Sequence, residues 1–438
     1  MLFAIAAFLA ALAVAVRGGR RGLRGLVVAA VVLAPLRGGL LEIAEDVSLG
    51  SPRLAVNALV PALVAALAIG VFVQRRPRLG DFPRPLLIAW ALIAAAVVLS
   101  FLARVVSLKL YGIGVAQYLV YPTLALAIWP LLEPGDGRRL TRLLITIGLV
   151  VAVTVLVQAA GVEGFIQAAS AQVDGLAADR YAGITGSYLH TSAFLGIAAV
   201  LAMGELASFR SGRMRLGATV ALAAILSGEV LTYSRSGVVI AAIGAIALLL
   251  FVLRGRRTGF AALVLSATAI AIAVGAVGGV SPGAAGGRVT SGFDLGGDPG
   301  NELRTEAFES GLRVYGDGSL AQKAIGRGAA ATGNAQQLVD AAGPKVTVES
   351  YYLKLLVETG AIGAVLVGAF LIWAAIAFGL ATLRPLSPRS ASVAAAGLGL
   401  SLYNVVYPAL ETQILALTWW LLLTICLKGL EEGGRSAW

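Results

Sequence analysis

Apolar runs of roughly twenty residues, separated by short clusters of arginine, recur along almost all of this 438-residue chain. In a bilayer about 20 apolar residues make one helical span, and spanning backbone must satisfy its own hydrogen bonds, which favours helices. Thirteen runs can be read: 1–16, 25–36, 54–73, 85–103, 111–132, 143–160, 190–209, 216–234, 236–253, 259–280, 361–383, 391–407 and 414–427. The first two and last two are short or joined without a clear polar break. The expected count is therefore twelve to fourteen, with thirteen the best. Only 13% of residues are charged and 58% are hydrophobic, against roughly 25% charged in a soluble domain. The expected fold class is an all-α polytopic membrane protein.

The basic clusters orient the spans. Arginines follow the first, third, fifth, seventh, ninth and eleventh runs, and Lys428 and Arg435 follow the last. Together they hold 21 of the 34 Lys and Arg residues. That side nets +15 and everything else −4, so the positive-inside rule makes it cytoplasmic. Arg104 and Lys109 dissent, outside and without an acid beside them. The opposite, external side holds two long segments, 161–189 and 281–350. The chain accordingly divides into N-terminal spans (1–160), central spans with the first external loop (161–280), a long external loop (281–350) and C-terminal spans (351–438). Within the long loop, Asn301–Leu312 mixes charged and apolar positions at helical spacing. It reads as a short amphipathic helix between glycine-rich flanks.

Several chemistries fall away. The net charge of +11 follows from membrane topology and gives no reason to expect nucleic acid as a partner. One cysteine, Cys426, forms no internal disulfide, and one histidine, His190, argues against multi-histidine metal sites. No GxxxxGK[ST] or HExxH occurs, no cofactor is expected, and Asp294 and Asp298 are weak evidence for a divalent ion. The apolar start, Met1–Val16, lacks a basic n-region and reads as a span rather than a cleaved signal.

Ionisable residues at the edges of apolar spans are costly unless function or pairing retains them. Arg235 separates two such runs in LTYSRSGVVIAAIG, and a hairpin turning at 233–237 would place it at the external face. The alternative is a loop arginine that snorkels to headgroups. Glu229 reads as a structural partner for a nearby arginine. Glu349, in VTVESYYLKLLVETGAIGAVL, stands where the long loop descends into the membrane. Partial desolvation there raises a carboxylate's pKa and suits it to proton abstraction; the alternative is a helix N-terminal acid favoured by the macrodipole. Glu358 is a second polar contact in the same run. Arg180 lies in a loop of small residues ahead of His190, which reads more readily as a structural hydrogen-bonder than as a catalyst. Arg304, Arg313 and Arg327 could contact an anion, since the guanidinium fork suits phosphate.

Three stretches resemble the bacterial O-antigen ligase and O-antigen polymerase superfamily of membrane glycosyltransferases. LTYSRSGVVIAAIGAIALLL is similar to its TxSRxG hairpin. RTEAFESGLRVYGDGSLAQKAIGRGAA is similar to its loop arginine and downstream Gly-x-Gly, here Arg304 and Gly326–Gly328. ESYYLKLLVETGAIGAVL resembles its HNxYLxLLxExGxxG block, and 180–201 is a weaker match to its RxxGxxG loop. Together these cover about half the chain. One departure stands out: ligases of the family open the last block with histidine and asparagine, where this chain has Glu349 and Ser350. By resemblance, glutamate there is more typical of the polymerase branch.

The resemblance implies a GT-C-like fold in the bacterial inner membrane with its site facing the periplasm or exterior. It implies a glycan donor on undecaprenyl pyrophosphate, a glycan acceptor, membrane lipid as surroundings, and no nucleotide or metal. It leaves room for a chain-length regulator as partner. Arg235, Arg304 and Arg180 are then expected on the pyrophosphate, Glu349 on the acceptor hydroxyl, and Tyr351, Tyr352 and His190 on the glycan. Polymerisation of lipid-linked repeat units is the expected activity, with ligation to lipid A core as the alternative. A transporter or flippase of lipid-linked sugar fits less well, because transporters often show paired broken helices and symmetric halves.

Overall fold

The computed structural model describes residues 2–46, 52–133, 135–162, 180–209, 211–253, 299–333, 348–383 and 387–432. Among them every regular element is helical. In chain order they are α1 (Leu2–Arg17), α2 (Gly19–Leu33), α3 (Arg37–Asp46), α4 (Pro52–Arg75), α5 (Arg84–Phe101), α6 (Leu108–Ile128), α7 (Asp136–Ala159), α8 (Tyr188–Ser208), α9 (Gly212–Leu231) and α10 (Arg235–Leu253). After an interval come α11 (Pro299–Gly316), α12 (Leu320–Ile325), α13 (Tyr351–Leu383), α14 (Pro388–Tyr403) and α15 (Gln413–Glu432).

Eight described helices are long and apolar enough to cross a membrane, or nine if α2 and α3, bent by 81°, form one broken span. The expected thirteen are not reached among the described residues. The run 259–280 lies outside them, as do Asp294 and Asp298, and α1 and the described apolar part of α10 fall short of a full crossing. The structure supports a polytopic helical membrane protein without fixing that count.

The centre of the bundle is α8, whose apolar window is 94% buried; it packs against α7, α9, α10 and α14. Burial on all sides fits a helix apolar all round rather than along one stripe. The basic clusters assigned to one side by sequence meet one another there. Arg20 and Arg24 pair with Glu133, Arg24 also with Asp136, and Glu205 takes Arg389 at 2.7 Å and Arg142 at 3.3 Å. Lys428 lies 4.6 Å over the Trp129 ring. Contacts between clusters from distant parts of the chain are what a common face requires.

At the other end the polypeptide breaks its helices repeatedly. α13 is interrupted at Gly360, whose φ of 70° and ψ of −178° lie in a region essentially reserved for glycine. The break separates a nine-residue helix, 351–359, from a 23-residue one, 361–383. At 1.5 Å per residue the second alone spans roughly 34 Å, enough for a hydrocarbon core of about 30 Å. The amphipathic helix expected at Asn301–Leu312 is present as α11. Gly311 lies against Leu353 and Val348, and Val348, Leu353 and Val357 form a small core with Val314 and Tyr315.

Candidate functional site

Glu358, two residues before the break, is wholly buried, and its carboxylate organises the long loop's second half. Oε1 accepts from the Thr332 amide (3.0 Å), the Thr332 hydroxyl (2.7 Å) and Lys354 Nζ (2.6 Å). Oε2 accepts from the Ala330 amide (3.1 Å) and the Tyr118 hydroxyl (2.9 Å). Lys354, itself 2% exposed, also donates to the Thr332 carbonyl at 3.2 Å and lies 3.6 Å from Glu411. Burying these charges is tolerable only with such complete pairing. The expectation that Glu358 is a second polar contact thus acquires specific partners.

The Gly-x-Gly has an equally concrete task. Arg327 N and Gly328 N donate to the carbonyls of Val357 and Glu358, both at 3.0 Å. These are the orphan carbonyls of the 351–359 helix end, which need donors from elsewhere. Gly326 and Gly328 have φ of 88° and 102°, which lets the loop run beside that end.

Tied down in this way, the loop carries its arginine to the carboxylate. Arg304, half-buried on α11, lies within electrostatic reach of Glu349. Burial pushes the Glu349 carboxyl above the ordinary carboxylate range, and Arg304 pulls it partly back. The neighbouring Tyr351 amide donates to the Asn404 carbonyl at 3.1 Å, seating this segment against the end of α14. There Tyr403 and Tyr407 stack, ring centroids 5.2 Å apart at 18°, both nearly buried. Arg304 and Glu349 both act on Tyr403, and Glu349 also on Tyr407.

The expected hairpin turn is present between α9 and α10. Ser192 donates to Glu229 Oε1 at 2.6 Å and accepts from the Gly237 amide at 2.8 Å and the Ser236 hydroxyl at 3.0 Å. The first turn of α10 is thereby fixed, with Arg235 half-buried at its start, while Ser236 sits beside Tyr403. Glu229 was expected to pair with an arginine; among the described residues its carboxylate instead accepts from the Ser192 hydroxyl and the Val238 backbone.

His190 Nε2 and the Tyr407 hydroxyl are 3.1 Å apart. Arg180 is 7% exposed with its guanidinium 4.6 Å over the Tyr188 ring, and the next amide, Tyr181, donates to the Leu231 carbonyl. Glu349, Arg304, His190 and the Arg235 turn are therefore gathered about one tyrosine stack, and Arg180 joins through Tyr188, which also acts on Tyr407. Tyr351 is buried towards Glu358 and Glu411, and Tyr352 lies half-buried against Gly368. Arg313 is exposed. Among the described residues no group of three or more His, Cys, Asp or Glu could hold a metal ion.

Sequence reasoning did not single out Tyr403, Tyr407 or Ser192. The two tyrosines, four apart in SLYNVVYPAL ahead of a proline, were the available signal. It also missed Arg37, at the start of α3, within electrostatic reach of Tyr121, Tyr407 and His190.

Residues 218–368 match a family model described as O-antigen ligase. That segment contains Arg235, Arg304, Glu349 and Glu358, and the match supports likeness to the O-antigen ligase and polymerase superfamily. No curated protein matches the sequence.

Proposed function

We propose that the protein is a membrane glycosyltransferase with a GT-C-like fold that transfers a glycan from a polyprenyl-pyrophosphate carrier to a sugar hydroxyl. The observation that carries this reading is the half-buried Glu349 facing Arg304 beside the tyrosine stack. Glu349 takes the proton of the acceptor hydroxyl, whose oxygen forms the new bond to the anomeric carbon. The bond from that carbon to the pyrophosphate oxygen breaks, and the departing anion is held by Arg304, Arg235 and Arg180. Pyrophosphate is a good leaving group, so positioned cations and one base suffice without a metal. Tyr351, Tyr352 and His190 are assigned to the glycan.

The acceptor assigned is a second lipid-linked repeat unit, which makes the protein a polymerase of the bacterial inner membrane working on the periplasmic or outer face. Glutamate at position 349, where ligases of the superfamily carry histidine, supports that choice. The long loop 281–350 acts as one functional segment, and a chain-length regulator is a compatible partner. Ligation to lipid A core is the second reading, favoured by the description of the family model that matches.

The two readings separate by acceptor. Full-length protein in nanodiscs, given only lipid-linked repeat units, should produce a ladder; product only after addition of lipid A core would establish the ligase instead. Glu349→Ala and Arg235→Ala should insert normally and form no product. Wild-type glycan chains from either variant would remove the assignment, and movement of labelled substrate across liposomes without a new glycosidic bond would replace it with transport.

A further inference from the structure

Arg37 follows the 81° bend between α2 and α3, far outside the segment that matches a family model. Its position is set by backbone contact. Gly38 lies directly against Thr185 and Gly186, with no room for a Cβ, and Gly39 against Ile184. The start of α3 is thus fixed beside the turn that leads into Tyr188 and His190.

Among the described residues, the groups that act on the guanidinium are polar and uncharged. Tyr121, Tyr407 and His190 are within its electrostatic reach. Its Nε is buried without a hydrogen-bond partner, and among the described residues no carboxylate pairs with it. The contrast with Lys354 is instructive, because that buried cation has two carboxylates. A half-buried charge with no counter-charge among the described residues is still costly. Two tyrosine hydroxyls and a histidine can orient an anion but cannot neutralise the arginine.

We propose that Arg37, with Tyr407 and His190, forms a second oxyanion subsite at the Tyr407 end of the tyrosine stack, distinct from the Arg304 and Glu349 pair near Tyr403. Its occupant is a carboxylate or phosphate oxyanion of the substrate, held by the planar guanidinium fork. The chemistry has two sources: an acidic substituent on the glycan, or the second phosphate of the carrier. The site would then select acidic glycans in the first case and share the leaving group in the second. Only the identity of the substrate rests on the transferase reading.

Binding can be measured without turnover on full-length protein in nanodiscs, using inorganic pyrophosphate and a glucuronate-containing disaccharide as probes. Arg37→Gln should weaken at least one probe about tenfold or more, the scale of a lost charge-assisted contact, with Arg37→Lys intermediate. Loss for pyrophosphate alone identifies the carrier phosphate, and loss for the uronate alone identifies the glycan. Equal affinity of wild type and Arg37→Gln for both probes, or no binding of either by wild type, overturns the proposal. Should Arg37→Gln fail to insert, Arg37→Lys and Tyr407→Phe carry the same comparison. A failed transferase assay leaves these binding results standing, so the two readings fail separately.

Discussion

Replacing Glu358 by alanine should release the loop from the membrane helices, and the size of the effect follows from the contacts. One carboxylate accepts from two amides, two hydroxyls and Lys354, at 2.6–3.1 Å. Hydrogen bonds to a charged group contribute about 1.5–3 kcal/mol each, but five on one acceptor are not additive. Removing one partner of a buried ion pair costs about 3–5 kcal/mol. Lys354 keeps the Thr332 carbonyl at 3.2 Å and Glu411 at 3.6 Å, which places the cost near the lower end, about 3 kcal/mol. At about 1.4 kcal/mol per decade, that is a roughly hundredfold rise in local opening. The assay is native-state hydrogen exchange of full-length protein in nanodiscs, comparing a peptide over residues 326–333 with one from α8. The loop peptide should exchange about a hundredfold faster while α8 is unchanged. Less than fivefold in a correctly inserted variant would refute the reasoning. Lys354→Met combined with Glu358→Leu and Glu411→Gln removes the three buried charges together and should recover part of the loss.

The remaining predictions concern the carboxylate and the helix break. On the proposed reading Glu349 must be ionised to accept a proton, so single-turnover transfer should fall as pH drops through a value above the usual 4.5, because burial raises it. Arg304→Gln removes the opposing charge and should move that acid limb to higher pH; an unmoved limb would separate Arg304 from the base. A raised folded pKa means that ionising Glu349 costs stability as pH climbs from the unfolded value through the folded one. Glu349→Gln should therefore raise the melting temperature more at pH 8 than at pH 4, and equal shifts would contradict this. Gly360→Ala adds a Cβ against Ala324 and Gly326 at a positive φ, and it should lower the melting temperature and deprotect Arg327 and Gly328 amides. A wild-type melt would show that the break needs no glycine.

Much of the frame was legible because it depends on local composition. Alternating apolar runs and arginine clusters give helices and their sides, and the contacts of Arg24, Arg142 and Arg389 with acids on other helices fit that reading. The hairpin before Arg235 and the helix around Arg304 were also readable, since serine-bracketed turns and helical spacing are short-range signals. What the sequence hid depends on contacts over hundreds of residues. Glu358 is 240 positions from Tyr118, and His190 is 217 from Tyr407. Nothing local marks Gly326–Gly328 as the cap of a helix that begins later in the chain. Nothing in the sequence singles out Arg37, which the close approach of Gly38 to Gly186 brings beside the tyrosines.

Tyr403 ends α14, and Tyr407 and Glu411 follow it, so they are made after the other elements of the site. Chains are made from the N-terminus and earlier parts fold first. The loop arginine, the carboxylate and the hairpin can all be inserted before Tyr403, Tyr407 and Glu411 leave the ribosome, but they have no wall to close against. The nascent protein thus holds the parts of the candidate site before it holds the tyrosines that bring them together.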